Sequence, residues 1–250
     1  MKKGRYGIIA PMQIEAEHII AAMEDARTEV VGGITFTIGT LRMENPQAVG
    51  EIGEAEAVVA VCGIGKVFAA MCAQTMIVKY APDCIINTGV AGTLSPDIGI
   101  GDVVLASDVV QHDMDTSPLG DPVGLISGLN IIKMHCSDRL RMSELKNAAA
   151  YVLDGTGTKV FTDRVIATGD QFIANREKKR EIAERFGASV CEMEGGAVGQ
   201  VCTANKVPFA VVRTISDSAD GGAVEDYPAF AKKAAEISAK IVIRAATLMW

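Results

Sequence analysis

Four carboxylates and one arginine stand where apolar runs end, and charge at such places needs a reason. Glu192-Met193-Glu194 follows Val190-Cys191, Arg213-Thr214-Ile215-Ser216-Asp217 follows Phe209–Val212, and Glu15 comes just after Tyr6–Ala10. A buried apolar strand has no use for two carboxylates on one face, and as strand residues Glu192 and Glu194 share one. A sugar site would use them: carboxylates accept ribose hydroxyl hydrogens, and Met193 packs against the ring. An Asp at the end of a strand can hydrogen-bond an adenine edge and deliver a proton. Plainer readings stand beside these. A carboxylate near a helix N-terminus is favoured by the helix dipole, which suits one of Glu192 and Glu194 and also suits Glu15. Asp217 could be surface charge just past a strand.

Two glycine-rich segments sit at similar places. Gly63-Ile64-Gly65 follows the apolar run Ala57–Cys62 and opens a helical stretch. The third glycine of a dinucleotide fingerprint is replaced by Phe68, and Asp83 begins its strand where the ribose-binding acid should end one, so dinucleotide binding is set aside. What remains is a tight turn or backbone N–H groups facing a ligand. Asn87-Thr88-Gly89-Val90-Ala91-Gly92-Thr93 ends another buried run with small residues, which let a ligand approach the backbone or simply form a turn.

The elements that must position these residues alternate. Strands are expected at Tyr6–Ala10, Ala57–Cys62, Asp83–Thr88, Asp102–Val110, Arg164–Thr168, Ser189–Glu192 and Phe209–Ile215. Helices are expected over about Gln13–Met23, Lys66–Tyr80 and Gly195–Ala204. Continuous apolar strands require a sheet covered on both faces, so the class is α/β, with the sheet between helices. The last helix carries an apolar stripe of Phe230, Ala234, Ile237, Ile241, Ala245 and Leu248, with Lys232, Lys233, Glu236 and Lys240 off it, and reads as a packing element. Leu41–Ala55 reads as a polar loop or hairpin extension, and Ser117–Gly128, with its prolines and glycines, as a long irregular loop. Neither reads as a domain boundary, so residues 1–250 are expected to form one domain.

Composition narrows the function. The chain has 250 residues, 49% hydrophobic and 22% charged, with a formal net charge of −7. An acidic chain without a Lys/Arg cluster is a poor partner for nucleic acid. No run approaches the roughly 18 apolar residues of a membrane span, and Gly7 and Pro11 interrupt the apolar stretch behind the basic start. The expectation is a soluble, cytoplasmic protein. The six cysteines form no C-x-x-C pair and the three histidines no H-E-x-x-H motif, so structural thiols and no metal are expected.

Taken together, in order along nearly the whole chain, these segments resemble the 5′-methylthioadenosine/S-adenosylhomocysteine nucleosidase family of the nucleoside phosphorylase superfamily. The resemblance runs through Ala10-Pro11-Met12 to Glu15, Gly63-Ile64-Gly65-Lys66, Asn87–Gly92, His112-Asp113-Met114-Asp115, Gly169-Asp170-Gln171-Phe172-Ile173, Glu192-Met193-Glu194 and Arg213–Asp220. It implies a three-layer αβα sandwich with a central mixed, largely parallel sheet, no cofactor, and a homodimer in which the loop after His112-Asp113 completes the neighbour's site. By resemblance, Glu15 holds and deprotonates the attacking water, Glu194 and Met193 bind ribose, and Asp217, supported by Ser216, protonates N7 of adenine. Phe172 and the backbone of Ile173 hold the base. Met12, Val90, Ala91, Gly92, Glu192, Arg213 and Phe230 are the remaining substrate contacts it implies. Two departures bear on the 5′ preference: Val90 stands where a Ser is common, and Asp121-Pro122-Val123 where an aromatic-rich loop is expected.

The chemistry is coherent in its own right. Cleaving a ribosyl C1′–N9 bond builds oxocarbenium character on the sugar and negative charge on the purine, so one acid protonates the leaving group while a carboxylate activates water. The place where the superfamily's phosphorylases carry a phosphate-binding Arg reads Ala10–Glu17, with no Arg or Lys. Free sugar is therefore the expected product. A phosphate-dependent phosphorylase, a futalosine hydrolase, an AMP nucleosidase and a non-catalytic nucleoside-binding protein are the alternatives.

Overall fold

The computed structural model describes residues 4–44, 52–137, 139–220 and 222–248. The chain begins with β1 (Arg5–Ala10), α1 (Gln13–Ala21), β2 (Met23–Val31), β3 (Ile34–Glu44), β4 (Ile52–Val61) and α2 (Lys66–Tyr80). It continues through β5 (Cys84–Thr93), β6 (Val103–Gln111), a 3₁₀ turn (Ser117–Leu119), β7 (Met134–His135), α3 (Arg139–Val152) and β8 (Val160–Thr168). It closes with α4 (Arg176–Phe186), β9 (Ala188–Glu192), α5 (Gly195–Asn205), β10 (Phe209–Asp217) and α6 (Ala223–Leu248). Among the described residues no helix is long and apolar enough to cross a membrane.

The strands make one mixed sheet. β1 pairs in parallel with β4 and β5, β5 with β10, and β8 with β6 and β9, while β2–β3–β4, β6–β10 and β5–β9 are antiparallel. Side-chain alternation sorts the apolar strands into two layers. Ile9, Val58, Ile85 and Val211 pack on Cys72 and Met76 of α2 and Val198 and Cys202 of α5. Their neighbours Ile8, Val59, Ile86 and Val212 pack on Ile19 of α1, Leu145 of α3 and Ile241, Val242 and Ala245 of α6. This is the expected αβα sandwich, and it explains why these strands read as unbroken apolar runs.

The structure corrects several expectations. β2 and β3 had no predicted counterpart: β2 is an edge strand whose side chains are mostly exposed, and its sequence, MEDARTEVV, carries the charges that edge strands carry. The hairpin extension over Leu41–Ala55 is real at both ends, with Glu44 opposite Ile52, and residues 45–51 lie outside the described residues. α3 and α4 also had no predicted counterpart: α4 is strongly polar, and α3 mixes charged residues with small apolar ones. β5 does not end at Thr88. Asn87–Thr93 is strand, paired with β10 from Thr88 opposite Val212 to Gly92 opposite Asp217.

Candidate active site

A cavity of about 350 Å³ opens where the carboxyl ends of β1, β5, β9 and β10 meet. Sheets of this kind bind ligands at strand carboxyl ends. Its lining includes Met12, Glu15, Val90, Ala91, Phe172, Ile173, Glu192, Met193, Glu194, Ser216 and Asp217. Three predicted contacts do not line it. Gly92 lies beneath Asp217, Arg213 lies behind Glu192, and Phe230 lines a separate cleft with Asp102 and Lys233, 41% exposed. Three residues earlier on α6, Tyr227 reaches the cavity instead.

Glu15 sits in the first turn of α1, buried, with both oxygens on backbone amides: Oε2 accepts from Met12 N–H at 2.8 Å and Oε1 from Val90 N–H at 3.0 Å. Gly89 permits this closeness, since a Cβ there would lie 2.7 Å from Oε1. Burial raises the Glu15 pKa to about 7, against the opposing pull of Arg213. At neutral pH the group is poised between its two forms, as suits a general base.

The two carboxylates of Glu192-Met193-Glu194 do not share a strand face. β9 ends at Glu192, the chain turns through Met193, and Glu194 is the N-cap of α5. Glu192 is saturated. Its Oε2 accepts from Gly195 N–H at 2.7 Å, from Glu194 N–H at 3.1 Å and from Arg213 Nη2, and its Oε1 accepts from the Thr168 hydroxyl. Arg213 is fully buried and is itself held by Asn87 Oδ1 at 2.5 Å and the Asn87 carbonyl at 3.2 Å. Glu194 has less: Oε1 accepts from Gly65 N–H at 2.9 Å, and Oε2 has only the approach of Arg213 Nη2 at 3.9 Å among the described residues. Burial, with Glu192 adding repulsion, pushes the Glu194 pKa well up. The Gly63-Ile64-Gly65 segment is thus a turn that also gives an N–H to the site. Gly65 adopts φ +100°, where only glycine is at ease.

Asp217 owes its direction to a bulge. The β5–β10 register shifts between Ile215 and Asp217, so Ser216 and Asp217, which strict alternation would send to opposite faces, both line the cavity. Asp217 Oδ2 accepts from Ser216 Oγ at 2.9 Å and Oδ1 from Ala219 N–H at 2.9 Å. A Cβ on Gly92 would lie 2.6 Å from Oδ1, which is why a small residue lies opposite.

Residues 5–247 match the phosphorylase superfamily. A 5′-methylthioadenosine/S-adenosylhomocysteine nucleosidase of Shewanella loihica is 36% identical over 240 residues, 96% of this chain and 97% of that one. The chain belongs to this nucleosidase family. A nucleosidase of the family from Neisseria meningitidis, solved with methylthio-immucillin-A, has a TM-score of 0.87 at 30% identity, covering 98% of this chain and 99% of its own. The futalosine hydrolase of Helicobacter pylori has a TM-score of 0.83 at 32% identity, with 97% of each chain covered.

For a nucleosidase of this family, sequence reasoning passed over Pro11, Ile64, Gln171, Cys191 and Tyr227 as lining residues. Four of them lie inside or beside quoted motifs and could have been named. Tyr227 had no such signal. It is an aromatic in the first turns of α6, set edge-on to Phe172 with ring centroids 5.9 Å apart, its hydroxyl 3.1 Å from Met12 Sδ. Burial and the nearby Glu15, Asp217 and Glu194 raise its pKa.

Proposed function

We propose that the chain hydrolyses 5′-thio-substituted adenine nucleosides, methylthioadenosine and S-adenosylhomocysteine, to adenine and the 5-thio-substituted ribose. One observation carries the reading: three buried carboxylates, Glu15, Glu194 and Asp217, converge on a cavity whose lining includes no Lys or Arg. Phosphate needs cationic partners, above all Arg, and a carboxylate in a low-dielectric pocket repels it. Arg213 is committed to Glu192 and Asn87. Water has no such need, and Glu15 can take its proton.

The reaction then runs as follows. The base lies against Phe172 and Ile173. Glu194 accepts the ribose hydroxyl hydrogens, with Met193 against the ring and Met12, Val90 and Ala91 closing the sugar side. Glu192, saturated by Arg213, Thr168 and two helix amides, keeps Glu194 in place. As the C1′–N9 bond breaks, Asp217, aligned by Ser216, gives its proton to N7, so adenine leaves neutral. Water adds to C1′ and its proton passes to Glu15. Each such proton transfer is typically worth roughly 10²–10⁴-fold in rate.

We read residues 1–250 as one domain that works as a cytoplasmic homodimer. Six free thiols suit a reducing compartment. Ile64, Val67, Phe68, Met71 and Val78 form an exposed apolar stripe along α2, beginning at a cavity residue, which supports a second copy packing there. Sedimentation showing a fully active monomer at micromolar concentration would remove the dimer. The test of the function is incubation with methylthioadenosine with and without phosphate. The expected result is equal adenine release and free methylthioribose. Rates that start near zero and saturate with phosphate, with ribose 1-phosphate accumulating, would make it a phosphorylase.

A further inference from the structure

Lys66, Asp113 and Asp170 belong to segments that carry the family resemblance, yet none of the three lines the cavity. They are bonded to one another. Lys66 Nζ donates to Asp113 Oδ1 at 2.6 Å and to Gln111 Oε1 at 3.2 Å. The other Asp113 oxygen, Oδ2, accepts the backbone N–H of Asp170 at 2.9 Å. Asp170 Oδ1 in turn accepts the backbone N–H of Lys66 at 2.8 Å. These contacts close a ring through three segments that are distant in sequence. The Lys66 and Asp113 side chains are only 19% and 16% exposed, so the pair is little screened, and removing one partner strands the other's charge.

Each side of the ring leads directly into the site. The residue before Lys66 is Gly65, whose N–H holds Glu194 Oε1 at 2.9 Å. The residues after Asp170 are Gln171, Phe172 and Ile173, which line the cavity. A reaction that separates a sugar from a base needs the groups holding each to keep a fixed relation. We propose that Asp113 is a positioning residue for the reaction: its carboxylate ties Lys66 to Asp170 and so holds the Glu194-bearing turn in register with the wall at 171–173. The proposal rests on the assignment of Glu194 to ribose and 171–173 to the base.

The test uses the full chain with Asp113→Asn, which keeps the shape but loses the charge, and Lys66→Met. Two readouts are taken. Hydrogen exchange at the amides of 65–66 and of 170–173 should speed up in both segments together. At temperatures where the variants are folded, kcat on methylthioadenosine should fall on the order of 10²-fold, the cost of a misplacement of about 1 Å. Glu194→Gln should also cost less in the Asp113→Asn background than in wild type, because both changes act on one unit. A purely structural role would lower the melting temperature, leave kcat of the folded variant unchanged and give additive costs, and would overturn the proposal. Exchange that rises in one segment alone would overturn it too. If Asp113→Asn does not fold, Lys66→Met decides by the same criteria. If the wild type releases no adenine, the functional reading fails, and exchange alone decides whether the ring couples the two segments.

Discussion

The floor of the cavity and its mouth are built on opposite terms. On the floor, Glu15, Glu194 and Asp217 are buried and each is anchored by a backbone N–H. At the mouth, Ile64 is 54% exposed and Phe172 50%, and Tyr227 leans on Phe172 and Met12, side chain against side chain. Backbone donors set in place by folding need no rearrangement when charge develops, which is where electrostatic catalysis gains most. Aromatic edges and a thioether can shift to suit what lies against them. On the proposed reading, the reaction belongs to the floor and the choice of substrate to the mouth.

The largest expected break is on the floor. Asp217→Asn fills the same space but has no acid proton to give, so adenine release should fall by roughly 10²–10⁴-fold while calorimetry still detects adenine binding. Turnover within a few-fold of wild type would take Asp217 out of the role.

Glu15 offers the next test, through pH. Its carboxyl moves from 4.5 to about 7 on burial, so kcat/KM should fall as pH drops below about 7, where the base becomes protonated. Stability runs the other way. Between 4.5 and about 7 the folded state holds the proton that the unfolded state has lost, so stability is lost as pH rises through that window. At about 1.4 kcal/mol per pKa unit the loss is roughly 3 kcal/mol at most. Glu15→Gln abolishes this titration. Whatever its baseline, the difference in unfolding free energy between variant and wild type should move in the variant's favour from pH 4.5 to pH 8. A flat difference would mean that Glu15 ionises normally in the fold.

The smallest effect belongs to the mouth. Tyr227→Phe keeps the ring on Phe172 and removes a hydroxyl that lies 3.1 Å from a thioether, a weak acceptor. It should leave kcat on methylthioadenosine almost unchanged and alter KM by no more than a few-fold. A loss comparable to that of Asp217→Asn would erase the distinction between floor and mouth.

The same contrast governs what could be read from the sequence. Part of the floor was legible because a carboxylate at the end of an apolar run is costly and stands out, as at Glu194 and Asp217; Glu15, taken alone, reads as an ordinary first-turn helix acid, and only the family resemblance marks it. How they are held was not, because it depends on distant partners: Arg213 with Glu192, and Gly65 with Glu194. The turn at Met193 also escaped, because two residues of strand and two residues of helix entry look alike in sequence. The apolar strands were legible because both of their faces are covered, while β2, charged and on an edge, had no pattern to show. At the mouth, Phe230 was chosen over Tyr227, since one aromatic in an amphipathic helix looks much like another until the helix is docked.

The cradle of Glu15 has a consequence for how this sequence can drift. Both of its hydrogen bonds come from main-chain amides, at Met12 and Val90. An amide is common to every residue but proline, so the side chains at these two places can change while Glu15 keeps both of its hydrogen bonds. Val90 shows the division: its apolar side chain lines the cavity while its amide, which any such change would leave in place, holds Glu15. Proline alone would delete the donor itself.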